Sequence, residues 1–92
     1  MNSSIADADE RVRTVDFSDT DIHVELMDGR RISAPLEWYP RLASATAEQR
    51  RSWKICAAGY GIHWSALDED LSTEGLLRQQ PSPEYTARKT RF

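Results

Sequence analysis

Cys56 and His63 are the pair that thiolate chemistry would need, because an imidazole must take the thiol proton and later return it. Against that stands the ordinary role of a lone cysteine in an apolar stretch, which is to fill a small space in the core. His63 with Asp68 and Asp70, or with His23, offers nitrogen and carboxylate groups of the types a divalent metal takes. Their spacing lacks the regularity of paired CxxC or HExxH motifs, so the acidic triplet at 68–70 reads more simply as a solvated turn or a helix start. Glu37, Asp68, Glu69 and Asp70 could include a carboxylate pair for acid-base work, which requires two groups in opposed environments; acidic surface is the simpler account. Gly59 and Gly61 lack the third glycine and the following helix of a phosphate loop. The residues therefore point to no catalytic group, no metal and no cofactor.

Binding is better supplied. Arg41, Arg50, Arg51 and Lys54 lie close in sequence to Trp38 and Tyr39, and Arg88, Lys89 and Arg91 make a basic tail. Such groups can hold phosphates while rings stack on unpaired bases. The formal charge of -3, from 15 acidic against 12 basic side chains, opposes a general attraction to nucleic acid. Arginines beside Glu37 and Glu48 also suit surface ion pairs, each contributing only about 0 to 1 kcal/mol. Trp, Tyr and Arg carry much of the energy at protein interfaces, and the segment Trp38-Tyr39-Pro40-Arg41 is irregular enough to present them. The expected partner contacts are Trp38, Tyr39, Arg41, Arg50 and Arg51, with Asp68 and Asp70 second. Arg88, Lys89 and Arg91 serve the alternative, a nucleic-acid-binding or transcription-regulator accessory domain. The same aromatics read equally well as core, since large rings dominate the interior of small domains.

The elements that must position these groups fit into one small domain. At 92 residues, 39% hydrophobic and 29% charged, the composition is that of a globular chain with a modest core. The single cysteine excludes an intrachain disulfide. The opening MNSSIADADE has no secretory pattern, and the longest apolar-leaning run is too short to span a bilayer, so a cytoplasmic location is expected. Residues 1–10 read as a mobile arm, 11–78 as the domain and 79–92 as a disordered polar and basic tail.

Within the domain, RVRTVDF at 11–17 is strand-prone with imperfect alternation: Val15 and Phe17 share one face and Val12 falls on the other. Ile22, Val24 and Leu26 alternate with His23 and Glu25, the pattern of a half-buried strand. Asp28-Gly29 then signals a hairpin whose register follows from parity. A two-residue loop would set Ile32 opposite Glu25 on the wrong face. A three-residue loop, Met27-Asp28-Gly29 with Gly29 at positive φ, puts Ile32 and Ala34 with Ile22, Val24 and Leu26. Thr46 and Gln49 have capping-box spacing, which predicts a helix over 47–53 with Ala47 and Trp53 inward and Arg50 and Arg51 toward solvent. Residues 54–58 read as a buried strand, Gly59 and Gly61 as a bend or close approach, and 62–64 as a further strand. Ser72-Thr73-Glu74 starts a last short helix. Tyr39-Pro40 is open to a cis bond, with trans the default.

The chain resembles a family of small bacterial proteins, domain of unknown function 2442. The resemblance rests on DG at 28–29, PLEWYPRL at 35–42, EQRRSW at 48–53, GYGIHW at 59–64 and LDEDLSTEGLL at 67–77, in order. It implies an α+β fold with an antiparallel sheet and short helices, and it implies no reaction. Some members carry a helix-turn-helix after this module, for which residues 78–92 are too short, and others resemble one half of a toxin-antitoxin pair. The fold expected is a small antiparallel sheet of three to four strands packed with two short helices. The expected function is a non-enzymatic protein-interaction module of a bacterial cytoplasmic protein, its partner encoded nearby, with self-association also open.

Overall fold

In the computed structural model, which describes residues 8–89, the parity argument holds. Strands β1 (Val12–Phe17), β2 (Asp21–Leu26) and β3 (Arg31–Pro35) form an antiparallel sheet in that order. Val24 lies opposite Ile32 and Ile22 opposite Ala34. The Leu26 amide donates to the Arg30 carbonyl (2.8 Å), leaving Met27-Asp28-Gly29 as the loop, with Gly29 at φ 95°. Val12 departs from expectation. The register shifts between Val12 and Thr14, so that Val12 pairs with Leu26 and Thr14 with Glu25. This bulge turns Val12 onto the face of Val15 and Val24, where it is buried. A strand covered on both faces is not needed.

A second antiparallel sheet holds β4 (Lys54–Cys56), β5 (Gly61–Trp64) and β6 (Glu69–Ser72), again in chain order. The expected single sheet is thus two three-stranded sheets within the same α+β class. Their inner faces share one core, with Ile22, Val24 and Leu26 from the first and Ile62, Trp64 and Leu71 from the second. Phe17 meets Trp64 edge-on, ring centroids 6.4 Å apart. Four short helices complete the fold: α1 (Pro40–Ala43), α2 (Ala47–Arg51), α3 (Thr73–Leu77) and α4 (Pro83–Lys89). The capping box of α2 is formed both ways: Gln49 N donates to Thr46 Oγ1 (3.1 Å) and Thr46 N to Gln49 Oε1 (3.0 Å). The helix stops at Arg51, so Trp53 lies beyond it and packs on the core independently, while Ala47 is exposed.

Two readings are corrected. Residues 54–58 do not form a buried strand: β4 ends at Cys56 and is an edge, because an apolar run does not distinguish edge from centre. The tail read as disordered carries α4, started by Ser82-Pro83-Glu84. Tyr85 N donates to Ser82 Oγ (3.2 Å), Pro83 takes the first helical position, and Ser82 N donates to the Trp38 carbonyl (3.1 Å). Of the expected mobile arm, residues 1–7 lie outside the described residues. Asp9 N is held by Asp28 Oδ2 (2.9 Å) and Glu10 lies 3.7 Å from Arg30.

The turn between β4 and β5 places Ala57 (φ 52°), Ala58 (φ 58°) and Gly59 (φ 100°) all in the left-handed region, at a penalty of roughly 1 to 2 kcal/mol for each residue with a Cβ. Gly29 shows the reverse case, since a Cβ built there meets nothing within 4 Å. Gly29→Ala should therefore lower the unfolding free energy by about 1 kcal/mol through backbone strain alone, and Ala58→Gly should raise it by roughly the same amount. Urea unfolding of the two variants beside the parent chain checks both signs.

Candidate interaction site

Sheet register decides the fate of the expected catalytic pair. Cys56 lies opposite Gly61, and His63 opposite Lys54 on one side and Asp70 on the other. Cys56 and His63 are therefore diagonal neighbours, with no hydrogen bond between them among the described residues. A Cβ on Gly61 would come within 2.9 Å of Cys56 Sγ, so the thiol lies against bare backbone. His63 Nδ1 donates to Asp70 Oδ1 (2.6 Å) on the solvent face of the second sheet, where the Asp70 side chain is 70% exposed. A carboxylate orienting an imidazole is half of a base-activated nucleophile, and the thiol does not complete it. His23 lies on the other sheet and shares a hydrogen bond with Ser33 Oγ (2.6 Å). Among the described residues no three His, Cys, Asp or Glu side chains gather as a metal site would require.

The expected partner contacts divide into three groups. Tyr39 is in the core, 2% exposed, so its ring is not displayed on the outer surface; Trp38 is half-buried and packs against the core. This corrects the reading of the aromatic segment as a displayed patch: the helical turn at Leu36–Trp38 and α1 fold it inward. Arg50, expected to face solvent, is engaged internally. Its Nε donates to the Leu42 carbonyl (2.8 Å) and its Nη2 to the Ala43 carbonyl (2.9 Å), closing the open end of α1, and its guanidinium lies 6.0 Å from the Phe17 ring centroid. Arg41, Arg51, Asp68 and Asp70 remain on the surface. Arg41 Nη1 donates to the Asp68 carbonyl (2.6 Å) and its Nε lies 3.4 Å from Glu84 Oε1. Glu37 is exposed.

Other arginines are similarly engaged, Arg11 with Asp9 (2.6 Å), Arg30 with Asp28 (2.8 Å) and Arg78 with Glu74 (3.0 Å). Arg30 and the backbone amides of Arg30 and Asp9 hold the Asp28 carboxyl well below its usual range. For the nucleic-acid alternative, Arg88 and Lys89 fall in the last turn of α4 and Arg91 lies outside the described residues.

Two features differ from what their sequence suggests. The first is the edge of β4. No strand pairs with its outer side among the described residues, Ile55 is 46% exposed, and Tyr60 in the following turn is 48% exposed. The second is Glu69, read as part of a solvated acidic turn. Asp68 takes a left-handed conformation (φ 53°) that ends the preceding turn, and β6 then points Glu69 inward beside Trp64. Only 9% of Glu69 is exposed, and its carboxylate makes no hydrogen bond or ion pair among the described residues. Burial pushes its pKa up; Arg41 opposes the shift and Glu84, Asp70 and Asp68 reinforce it. Burial, with Glu69 nearby, pushes the Tyr39 phenol up to about 12. Strand propensity disfavours an acidic run, which is why β6 was not expected.

A family model described as protein of unknown function (DUF2442) matches residues 12–82. The chain belongs to that family. The match takes in all six strands and both features just described. A protein of unknown function from Rhodospirillum rubrum ATCC 11170, known from its crystal structure, is 30% identical over 80% of this chain and 92% of its own, with a TM-score of 0.68. An uncharacterized protein from Chromobacterium violaceum, solved by NMR in solution, is 26% identical over 87% of this chain and 76% of its own, with a TM-score of 0.71. No curated protein matches the chain. No helix among the described residues is long and apolar enough to cross a membrane.

Two outcomes follow from these environments. Glu69 has a folded pKa above its unfolded value, so its ionisation destabilises the fold at neutral pH, and the penalty fades as pH falls toward the ordinary carboxyl value of 4.5. Glu69→Gln should raise the melting temperature at pH 7, with an advantage that shrinks on acidification and is absent below that value. Arg50→Ala frees two carbonyls of α1 and should lower stability by about 1 to 3 kcal/mol, measured by urea unfolding.

Proposed function

We propose that this chain is a non-enzymatic interaction module of the bacterial cytoplasm, which binds a protein partner along the free edge of β4. The observation that carries this reading is Ile55. It stands half out of the protein on a strand whose outer side has no pairing strand among the described residues, with exposed Tyr60 after it and exposed Arg51 and Lys54 before it. An extended segment of another chain can add to such an edge, its main chain supplying hydrogen bonds and its side chains covering Ile55 and Tyr60. The two basic side chains favour acidic residues at the partner's flank. Arg41, Asp68 and Asp70 form a separate polar surface beside β6 for secondary contacts. A neighbouring gene encodes the partner in this reading, as in a toxin-antitoxin-like pair.

The alternative, nucleic-acid binding through Arg88, Lys89 and Arg91, is disfavoured by the net charge and by the internal pairing of Arg11, Arg30, Arg41 and Arg78. The test is co-purification from the native host with hydrogen-deuterium exchange on the recovered complex. Amides at 54–56 should gain protection, and Ile55→Arg, a surface change, should reduce partner recovery at least about tenfold, a loss of roughly 1.4 kcal/mol. Undiminished recovery with Ile55→Arg, or protection confined elsewhere, would refute the β4 edge. Capture of polynucleotide that weakens steeply with salt and is lost on removing residues 86–92 would favour the alternative.

A further inference from the structure

A pocket of about 150 Å³ lies between β6, α3 and the segment leading into α4, with Glu69 and Tyr39 among its walls. Leu71, Leu76, Pro81 and Pro83 supply apolar lining. Ser72 and Ser82 add hydroxyls, each of which accepts one backbone amide, from Gly75 (3.0 Å) and Tyr85 (3.2 Å), and keeps acceptor capacity. The pocket combines hydrogen-bond acceptors with apolar walls. A volume near 150 Å³ holds a ligand of about six heavy atoms.

The electrostatics are one-sided. A buried carboxylate without a partner is unfavourable and is normally paired, protonated or bound to a cation. Among the described side chains, three further carboxylates, Asp68, Asp70 and Glu84, and one cation, Arg41, act on Glu69. Arg41 makes contact with Asp68 and Glu84 and forms no ion pair with Glu69. His63 is directed to Asp70 on the opposite face of the sheet. A divalent metal would want several anionic oxygens converging; Glu69 and Asp70 both line the pocket, but the Asp70 carboxylate is hydrogen-bonded to His63 on the other face of the sheet, which leaves Glu69 with neutral hydroxyls. A primary ammonium has three donors and needs three acceptors, which Glu69, the Tyr39 phenol oxygen and a serine hydroxyl supply, while an attached alkyl chain suits the leucine and proline walls.

We propose that this pocket is a binding site for an alkylammonium group, with the cationic head against the Glu69 carboxylate and Tyr39 hydroxyl and the chain along Leu71, Leu76, Pro81 and Pro83. The group can come from a free small amine or from a lysine side chain of a partner, each with about five heavy atoms to bury. The site lies at the β6 side of the second sheet, away from the β4 edge, so either assignment can fail without the other.

The test is an amide NMR titration of the whole chain with n-butylammonium chloride, n-butanol as the neutral isostere, and Nα-acetyl-lysine amide, at constant ionic strength. Saturable shifts at 69–72, 75–76 and 80–83 are expected with the two cations. Affinity should fall at least about tenfold in Glu69→Gln, which removes the charge and retains the shape, and several-fold in Tyr39→Phe. Tighter binding of the lysine derivative than of butylammonium supports the site with a partner side chain as source, and the reverse order supports it with a free amine. Butanol binding as well as butylammonium, an unchanged affinity in Glu69→Gln, or no saturable shift at these amides would overturn the proposal.

Discussion

The constraint on which the rest depends is the single polar atom of Trp64. Its ring has no exposure at all and lies where the two sheets meet, edge-on to Phe17. A buried indole N–H left without an acceptor would cost about 1 to 3 kcal/mol, and Nε1 donates to the Arg50 carbonyl (2.9 Å). That bond fixes the last turn of α2 over the core. The same Arg50 then reaches back with its guanidinium to the Leu42 and Ala43 carbonyls, which fixes α1. Neither helix exceeds five residues, and helices so short do not persist in water unaided. One residue in the middle of the interface between sheets thus organises the helical layer through its hydrogen bond and that of its partner.

This arrangement explains which parts of the sequence could be read. The first sheet was legible because its information is local: strict alternation in β2, a turn signal at Asp28-Gly29, and a parity condition that only a three-residue loop satisfies. The caps at Thr46 and Ser72 were legible for the same reason. Val12 was misassigned because alternation assumes an unbroken ladder, and a bulge has no strong marker in a chain such as RVRTV. The second sheet was only partly visible. Its centre, Ile62 to Trp64, is apolar and was read as a strand, while its two edges departed from expectation in opposite directions: β4 looks buried and is exposed, and β6 looks like an acidic turn and is paired. Ser82-Pro83-Glu84 carried a readable helix start that tail composition obscured.

The candidate site was the least legible part. The aromatic and basic residues between 38 and 51 have interface chemistry, yet Tyr39 and Arg50 serve the interior, since composition cannot say which way a ring or guanidinium turns. The residues that remain accessible do so because of sheet position: Ile55 lies on a strand with one neighbour, and Asp70 alternates with Glu69 and Leu71 on a strand whose inner face is core.

Glu69 is the place where local chemistry and global fold conflict most. An inward position in a strand favours an apolar or β-branched residue, and β6 supplies a carboxylate there with acidic neighbours and no contact cation among the described residues. A hydrophobic side chain of similar size would remove the penalty without disturbing the pairing with Trp64. Natural chains retain such conflicts chiefly where a site needs them, because stability lost to an unpaired charge returns when a cation binds. Coulomb attraction gives the same direction: among the described side chains, the field of four carboxylates against one arginine is strongest where solvent is excluded, and that is the inner wall holding Glu69. Charge and shape in this corner therefore select for positive, partly apolar groups, whereas the β4 edge selects for extended main chain. The two surfaces belong to opposite sides of one sheet, with the central strand β5 holding Trp64 between them.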